Sequence, residues 1–248
     1  MKIEMMSRGN LIIYHTNDLH GKLDIRSAER IVSITANRPG LLLDAGDAVS
    51  AGNLGVRLGG ERILRLMTEL GYTAMAMGNR EFHPLPGLMK RKLSAAGFPV
   101  LCANLRERRG EGSCRSSLIA EHHGYRLGLI GVCRDMLTGT PGVRLSPFKF
   151  IPPVDAVMRE MERLEGQVDS FILLSHLGLR EDVAIAQQVA GLDLIIGGHS
   201  HDAPAEGIRS GETLIVQAGC RAAYLGVVCF DGRRWTSRLE NIVRGKYY

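Results

Sequence analysis

The chain has 248 residues, of which 45% are hydrophobic and 23% charged, and 31 basic against 26 acidic residues give a net charge of +5. This balance is ordinary for a globular protein that can bury a sizeable core, and no apolar run approaches the length of a membrane-spanning helix. The densest basic cluster, Arg106–Arg109, contains Glu107 and no aromatic neighbour. We therefore interpret it as a solvated loop and expect neither a nucleic-acid polymer nor a membrane as a partner.

The cysteines and the N-terminal segment predict the compartment. Five is an odd number, there is no Cys-x-x-Cys pair, and Cys133 closes the apolar run Leu129–Val132. Small buried hydrophobes in a reducing compartment account for such cysteines better than disulfides do. Residues 1–10 are too polar for the apolar centre of a signal peptide. The sequence thus predicts a cytoplasmic protein and leaves the oligomeric state open.

The first apolar run, Leu11–Tyr14, predicts a buried strand that ends close to Asp18 and His20. Residues two apart in an extended chain point to the same side, so both side chains can hold one ion just beyond the strand. An Asp oxygen and a His nitrogen suit a divalent metal such as Zn, Mn, Fe or Ni. On its own the pair is weak evidence, because a turn Asp beside an incidental His gives the same pattern.

Two later apolar runs end in the same way. Leu41–Asp44 precedes Gly46-Asp47, and Ala74–Met77 precedes the polar stretch Gly78–His83. Runs this apolar predict strands covered on both faces, as in α/β proteins. Sites in open α/β sheets lie outside the carboxyl ends of the strands, so three such ends predict one shared site.

The C-terminal half repeats this arrangement twice. Phe171–His176 predicts a buried strand that delivers His176, with Gly178 close behind. Leu192–Gly197 predicts another, which ends in a second glycine and the pair His199-x-His201. The two runs add imidazoles to the carboxylates and the amide delivered by the first half.

The remaining segments complete an α/β pattern in chain order. Helices are predicted over 26–37 (Ile31, Val32 and Ile34 inward), 61–70, 84–96, 154–164 (Val154, Val157, Met158, Met161 and Leu164 inward) and 180–190. Further strands are predicted over 100–104, 117–121, 126–133, 213–217, 224–230 and, at an edge, 235–239. Residues 105–115 read as a loop or hairpin, and 137–151 as irregular. His122 and His123 lie on a predicted turn tip, and we do not expect them to be ligands.

The polar residues at the strand ends share the ability to bind a metal: Asp18, His20, Asp47, Asn79, His176, His199 and His201. They are too many for one ion, since a catalytic zinc uses about three protein ligands. They suffice for two ions if one carboxylate bridges. Two metals roughly 3.5–4 Å apart can clamp a phosphoryl group and generate hydroxide at neutral pH. The residues alone therefore predict a dinuclear hydrolase of phosphate esters.

In order along the chain, the motifs resemble those of the calcineurin-like metallophosphoesterases, and Thr16–Gly21 with the GGHSH form resembles the 5′-nucleotidase branch. The motifs are Asp18-x-His20, Gly46-Asp47, Gly78-Asn79-x-Glu81, Ser175-His176 and Gly197-Gly198-His199-Ser200-His201. The resemblance implies a four-layer αββα sandwich of two mixed sheets flanked by helices, which we expect to form one catalytic domain over 1–248. It also implies two divalent ions, Mn, Fe or Zn, bridged by Asp47. One ion would take Asp18, His20, Asp47 and His201, and the other Asp47, Asn79, His176 and His199.

Two departures from the family pattern bear on function. The family usually reads Gly-Asn-His-Glu-Phe-Asp, in which the histidine, supported by the Asp, assists the leaving group; here Arg80 and His83 occupy those two positions. We hypothesise that Arg80 clamps the phosphoryl group and that His83 donates a proton. Because the sequence ends at Tyr248, we also expect no nucleoside-binding C-terminal domain of the kind found in 5′-nucleotidases and do not carry over their nucleotide specificity. Glu81 is expected to support a loop.

Three functions remain open. The first is a phosphomonoesterase, nucleotidase-like or acting on another small phosphorylated substrate. The second is a phosphodiesterase, for example on cyclic nucleotides, which an open site with Arg80 in place of an acid would suit. The third is a catalytically weak phosphate-binding relative. The complete ligand set argues against the third.

Overall fold

A computed structural model of the protein describes residues 9–57, 59–108, 112–139 and 146–243. The helices are α1 (Ile25–Asn37), α2 (Arg62–Glu69), α3 (Pro86–Leu93), α4 (Pro153–Leu164) and α5 (Leu179–Gln188). The strands are β1 (Leu11–Thr16), β2 (Leu41–Asp44), β3 (Tyr72–Ala76), β4 (Val100–Leu101), β5 (Leu105–Glu107), β6 (Ser117–His122), β7 (Tyr125–Cys133), β8 (Phe148–Phe150), β9 (Ser170–His176), β10 (Leu194–Gly197), β11 (Ile208–Ser210), β12 (Thr213–Val216), β13 (Tyr224–Phe230) and β14 (Trp235–Asn241).

Two six-stranded mixed sheets form the centre of the molecule. The first has the order β14-β13-β1-β2-β3-β4, and the second has the order β11-β12-β10-β9-β7-β6. In each sheet four neighbouring strands run parallel, β1 to β4 in the first and β7, β9, β10 and β12 in the second. The remaining strands pair antiparallel at the edges.

Three apolar layers separate four layers of secondary structure. Alternate residues of β1 face opposite ways: Leu11 and Ile13 lie in the core between the sheets, whereas Ile12 and Tyr14 face α1, α2 and α3. Helices α4 and α5 cover the other face of the second sheet, where Val157 belongs to a third core. The predicted αββα sandwich is confirmed, and burial on both faces explains why its strands are apolar throughout.

Two inward-facing assignments were wrong. Val32 is 51% exposed, because α1 buries the narrower stripe formed by Ser27, Ala28 and Ile31. Met158 is 54% exposed, because α4 is turned so that Glu160 faces inward. This carboxylate is tolerated there because the Ser117 hydroxyl donates to it at 2.8 Å and Arg163 pairs with it.

Several strand boundaries also differ from the prediction. The strand expected over 100–104 stops at Leu101, because the Asn104 side chain pairs with the backbone N–H and C=O of Cys133. Strands β5 and β8 pair with each other inside the segments expected to be loop and irregular, and β11 was not predicted. Residues 1–8, Arg109 of the basic cluster and residues 140–145 lie outside the described residues. Within the described part, no helix is long and apolar enough to cross a membrane.

Candidate active site

The carboxyl ends of parallel strands from both sheets meet at one site. β1, β2 and β3 lead into Asp18, Asp47 and Asn79, and β9 and β10 lead into the histidines. Five of the seven predicted ligands have positive φ angles: Asp18 (51°), His20 (49°), Asp47 (56°), His199 (77°) and His201 (62°). Such backbone conformations are uncommon for non-glycine residues and concentrate at functional sites.

One group of ligand atoms lies between the two sheets. His176 Nε2 is 3.4 Å from Asp47 Oδ1 and 3.3 Å from Asn79 Oδ1. The same amide oxygen of Asn79 lies 3.2 Å from His199 Nδ1. Ligand atoms of a tetrahedral site with bonds of about 2.0–2.2 Å are separated by about 3.3–3.6 Å, so these spacings fit one divalent ion.

A second group of ligand atoms lies beside the first. His20 Nε2 is 3.6 Å from Asp18 Oδ1 and 3.5 Å from Asp47 Oδ2, and His201 Nε2 is 3.3 Å from Asp18 Oδ1. Asp47 thus turns Oδ1 toward one group and Oδ2 toward the other. The structure brings all seven predicted residues together and gives Asp47 the arrangement of a bridging carboxylate.

The donor set fits divalent cations. Among the described residues, the buried atoms Asp18 Oδ1 and His20 Nε2 have no hydrogen-bond partner, although the other oxygen of Asp18 accepts from Asn17 Nδ2 and from the His199 N–H. A buried polar atom without a partner is costly unless an ion or water satisfies it. Carboxylate and imidazole together suit Zn, Mn or Fe.

Neighbouring groups orient the ligands. Ala45 C=O accepts from His176 Nδ1 at 2.7 Å, which leaves Nε2 free to bind an ion. The buried Glu81 carboxylate accepts from the backbone N–H groups of Asp47, Gly78 and Val49 at 2.8, 2.8 and 3.0 Å. The predicted loop-supporting role of Glu81 is thus visible in the structure. A side chain at position 78 would collide with the backbone and carboxylate of Asp47, so only glycine fits there.

Electrostatics at the site favour positive charge. Burial lowers the pKa of His176, but the carboxylate of Asp47, with a further contribution from Asp18, outweighs it and raises the pKa to about 9. Burial also opposes ionisation of Asp47, yet its contacts with His176 and His20 hold the pKa of that carboxyl well below its usual range. The cluster therefore keeps its carboxylates ionised, as cation binding requires.

Arg80 lies beside the Asp47 carboxylate. Its backbone N–H donates to Asp47 Oδ1 at 2.7 Å, and its Nε is 3.6 Å from Asp47 Oδ2, with the side chain 31% exposed. The buried Lys92 ammonium fixes this loop by donating to the carbonyls of Arg80, Gly52 and Asn53 at 2.5, 2.9 and 3.2 Å. The backbone of Arg80 is thus fixed, while its guanidinium is accessible to solvent.

His83 is held differently. It is 5% exposed, its Nδ1 accepts from the Leu85 N–H at 3.0 Å, and the ring also bonds the backbone of Leu54. Burial and the nearby Lys92 lower its pKa. These contacts favour a structural role, and its role as a proton donor stays a prediction.

Two residues at the site were missed by the sequence analysis. Lys92 lies in the charged run Lys90-Arg91-Lys92 and gives no sign of burial. Arg134 directly follows β7, and its Nη1 lies 3.3 Å from His199 Nε2. The rule that polar residues follow parallel strands would have found Arg134, but β7 was taken only as the partner of β6.

His122 and His123 lie at the β6–β7 turn, and their rings pack against each other. The five cysteines are free thiols in the described structure.

A four-layer sandwich with a carboxylate and imidazole cluster at its strand ends defines a metal-binding α/β protein. The family model for calcineurin-like phosphoesterases matches residues 11–203. The chain belongs to the calcineurin-like phosphoesterase family.

Its curated relatives include 5′-nucleotidases. The chain is 32% identical over 219 residues to the snake venom 5′-nucleotidase of Gloydius brevicauda and 30% identical over 223 residues to the 5′-nucleotidase of Bos taurus. These alignments cover 77% of this chain but only 37% and 38% of the relatives. The chain thus spans about two fifths of the length of the relatives it matches.

Solved structures agree with the fold. A 5′-nucleotidase precursor from Thermus thermophilus superposes with a TM-score of 0.76 at 26% identity, covering 94% of this chain and 54% of that one. The calcineurin-like phosphoesterase YfkN from Bacillus subtilis has a TM-score of 0.72 at 19% identity and covers 94% of this chain and 91% of that one. At that identity the second likeness shows the fold alone.

Proposed function

We propose that the protein is a dinuclear metal-dependent phosphoesterase that hydrolyses small phosphate monoesters. One observation carries the proposal: the ligand atoms form two groups with spacings of 3.2–3.6 Å, and Asp47 gives one carboxylate oxygen to each. Asn79, His176 and His199 complete the first position, and Asp18, His20 and His201 complete the second. Divalent ions there would supply a nucleophile from water at neutral pH and neutralise phosphoryl oxygens.

The chain's own residues bind and orient the substrate. The planar fork of Arg80 matches two phosphoryl oxygens and stays charged at any working pH. The guanidinium lies beside Asp47 Oδ2, in the carboxylate that would bridge the two ions. A phosphoryl group bound there would gain negative charge in the transition state, and the guanidinium would stabilise that charge. A monoester dianion offers this fork more charge than a diester does, which favours monoesters.

Arg80 cannot protonate a leaving oxygen, because its guanidinium does not lose a proton. His83 would have to release its contact with Leu54 or Leu85 to do so. We therefore expect the fastest substrates to be those whose leaving group is stable as an anion. Kinship to 5′-nucleotidases makes nucleoside monophosphates candidates to assay, and because they release an alkoxide we expect them to turn over more slowly than aryl phosphates.

The decisive experiment compares p-nitrophenyl phosphate with bis-p-nitrophenyl phosphate after metal removal and reconstitution with Mn. We expect two Mn per chain, turnover of the monoester that disappears on chelation, and slower turnover of the diester. Preference for the diester would make the protein a phosphodiesterase. Two bound metals without turnover of either ester would make it a phosphate-binding relative.

A further inference from the structure

Arg134 is the second arginine at the site, and it contacts a different residue from the first. Arg80 contacts Asp47, whereas Arg134 contacts His199, a ligand of the other metal position. Arg134 follows the end of β7, which pairs parallel with β9, so its place at the site is set by the sheet itself. Its side chain is exposed, as a group that receives a solute must be.

An ion bound at this position would decide which nitrogen of His199 carries the proton, and so what His199 offers to Arg134. Nδ1 of His199 faces Asn79 Oδ1 and the metal position, so its lone pair is the one available to the ion. Since a neutral imidazole carries a single N–H, Nε2 must then be protonated. Arginine is only a donor. With Nε2 protonated, His199 would face Arg134 Nη1 at 3.3 Å as a second donor, so the ring would offer Arg134 no acceptor.

No carboxylate replaces that acceptor. Among the described residues, none lies within ion-pair distance of Arg134. The adjacent Asp135 is occupied by the Thr138 hydroxyl and by the backbone N–H groups of Leu137 and Thr138. Within the described part of the chain, the exposed guanidinium of Arg134 thus lies at the rim of the site without a carboxylate partner.

We propose that Arg134 binds a second phosphoryl group of the substrate, next to the one that is hydrolysed. The inference rests on the proposed function and narrows its substrate class to small esters that carry two phosphoryl groups. A fork of donors matches phosphate oxygens, and the two arginines lie at different metal positions, so each can hold its own group.

The test measures binding rather than turnover. The Mn-loaded protein is titrated with alkane diphosphonates containing one to three methylene groups and with the matched monophosphonates, and metal content is measured after each titration. We expect at least one diphosphonate to bind about 10–100-fold tighter than its monophosphonate, the scale of a hydrogen bond between charged groups. Arg134→Gln should remove this preference, because it should weaken diphosphonate binding much more than monophosphonate binding. Arg134→Lys, which keeps the charge without the fork, should retain part of it.

Arg159→Gln is the matched control, because it removes one positive charge from the exposed face of α4. A second readout separates substrate binding from support of His199. If Arg134 only held that ring, Arg134→Gln would weaken Mn binding, which would overturn the inference. We expect Mn affinity to stay equal or to increase, since a nearby positive charge is lost.

The remaining outcomes are also decisive. An equal loss of mono- and diphosphonate binding in Arg134→Gln, or an unchanged preference, would disprove the role of Arg134 and leave the proposed function intact. A wild-type protein that binds neither Mn nor any monophosphonate would refute the proposed function, and the inference with it.

Discussion

His15 and His176 are both completely buried, yet their pKa values move in opposite directions. His15 belongs to β1, on the same face as Leu11 and Ile13 of the core between the sheets, and burial lowers its pKa to about 3. His176 ends β9, and its pKa rises to about 9 because Asp47 and Asp18 outweigh the effect of burial. Two carboxylates therefore reverse the sign of the shift.

The opposite pKa shifts distinguish the core between the sheets from the site at the ends of the strands. Opposite His15 in the neighbouring strand is Gly226, whose missing side chain leaves room for the ring, and neither ring nitrogen has a hydrogen-bond partner among the described residues. That region excludes charge. The ends of the strands gather negative charge and are suited to cations. The core can thus be stable by itself, while the site depends on what it binds.

The largest expected effect comes from removing the Asp47 carboxylate, which raises the pKa of His176 and so makes it differ from His15. Asp47→Asn should reduce turnover by more than the roughly 10²–10³-fold cost of losing one preorganised charge donor, because both metal positions lose a ligand. The pKa of His176 in the metal-free variant should fall. Metal content, turnover and the NMR titration of His176 measure these changes.

Asp44→Asn provides the control for Asp47→Asn. Burial raises the pKa of Asp44 well above its usual range, and its carboxyl contacts the Thr16 hydroxyl and the Gly46 N–H rather than the ligand atoms, so Asn resembles it closely. We expect Asp44→Asn to keep both metals and most of the activity. If Asp47→Asn retained two metals per chain and near-parental activity, Asp47 would not be a bridge.

The next largest effect is expected from removing the positive charge of Arg80, which lies beside the ligand cluster. Arg80→Ala should lower kcat by about 10²–10³-fold with metal content unchanged, because one fixed charge donor is lost. Arg80→His should recover little activity unless His83→Asp is added, since the new imidazole would lack a carboxylate to orient it. Loss of metal from Arg80→Ala would show that the arginine supports Asp47 instead.

His83→Ala tests the proton role separately. An alkyl phosphate is needed beside p-nitrophenyl phosphate, because a good leaving group hides the loss of an acid. An unchanged pH–rate profile with both esters would exclude His83 as a proton donor.

Chelation should show directly that the active site depends on the metals and that the folded core does not. We expect removal of the metals to abolish activity and to leave the far-UV circular dichroism spectrum largely unchanged, because the apolar cores on both faces of the sheets do not involve the ligands. Small zinc domains behave in the opposite way and unfold without the ion. Collapse of the spectrum on chelation would make the metals structural.

The sequence predicted that the candidate ligands lie together better than it predicted their surroundings, for a physical reason. Each ligand follows an apolar strand, and parallel strands bring their carboxyl ends to one edge, so Asp18, Asp47 and His176 could be grouped without coordinates. Contacts that depend on turns, or on how a helix is rotated about its axis when it packs, leave no such pattern in the sequence. The buried ammonium of Lys92 and the outward Met158 depend on how α3 and α4 pack, which periodicity does not specify.

The role proposed for Arg80 rests on its position beside Asp47, because the family pattern has a histidine at that place.

The smallest expected effect lies in the charge-excluding region. His15 takes up a proton in the unfolded chain below its ordinary pKa of 6.5 but in the folded protein only near 3. The unfolded state therefore binds more protons between these values, and the free energy of unfolding falls as the pH drops through 6.5. At pH 5 this loss is about 2 kcal/mol relative to neutral pH.

His15→Leu removes the titrating group and should abolish this loss. The difference in unfolding free energy between variant and wild type should therefore grow by about 2 kcal/mol from pH 7.5 to pH 5 in urea titrations of the metal-free proteins. Titrations shared by both proteins, including that of His176, cancel in this difference. If His15→Leu and wild type lost stability in parallel, His15 would be protonated in the folded core and the contrast with His176 would be wrong.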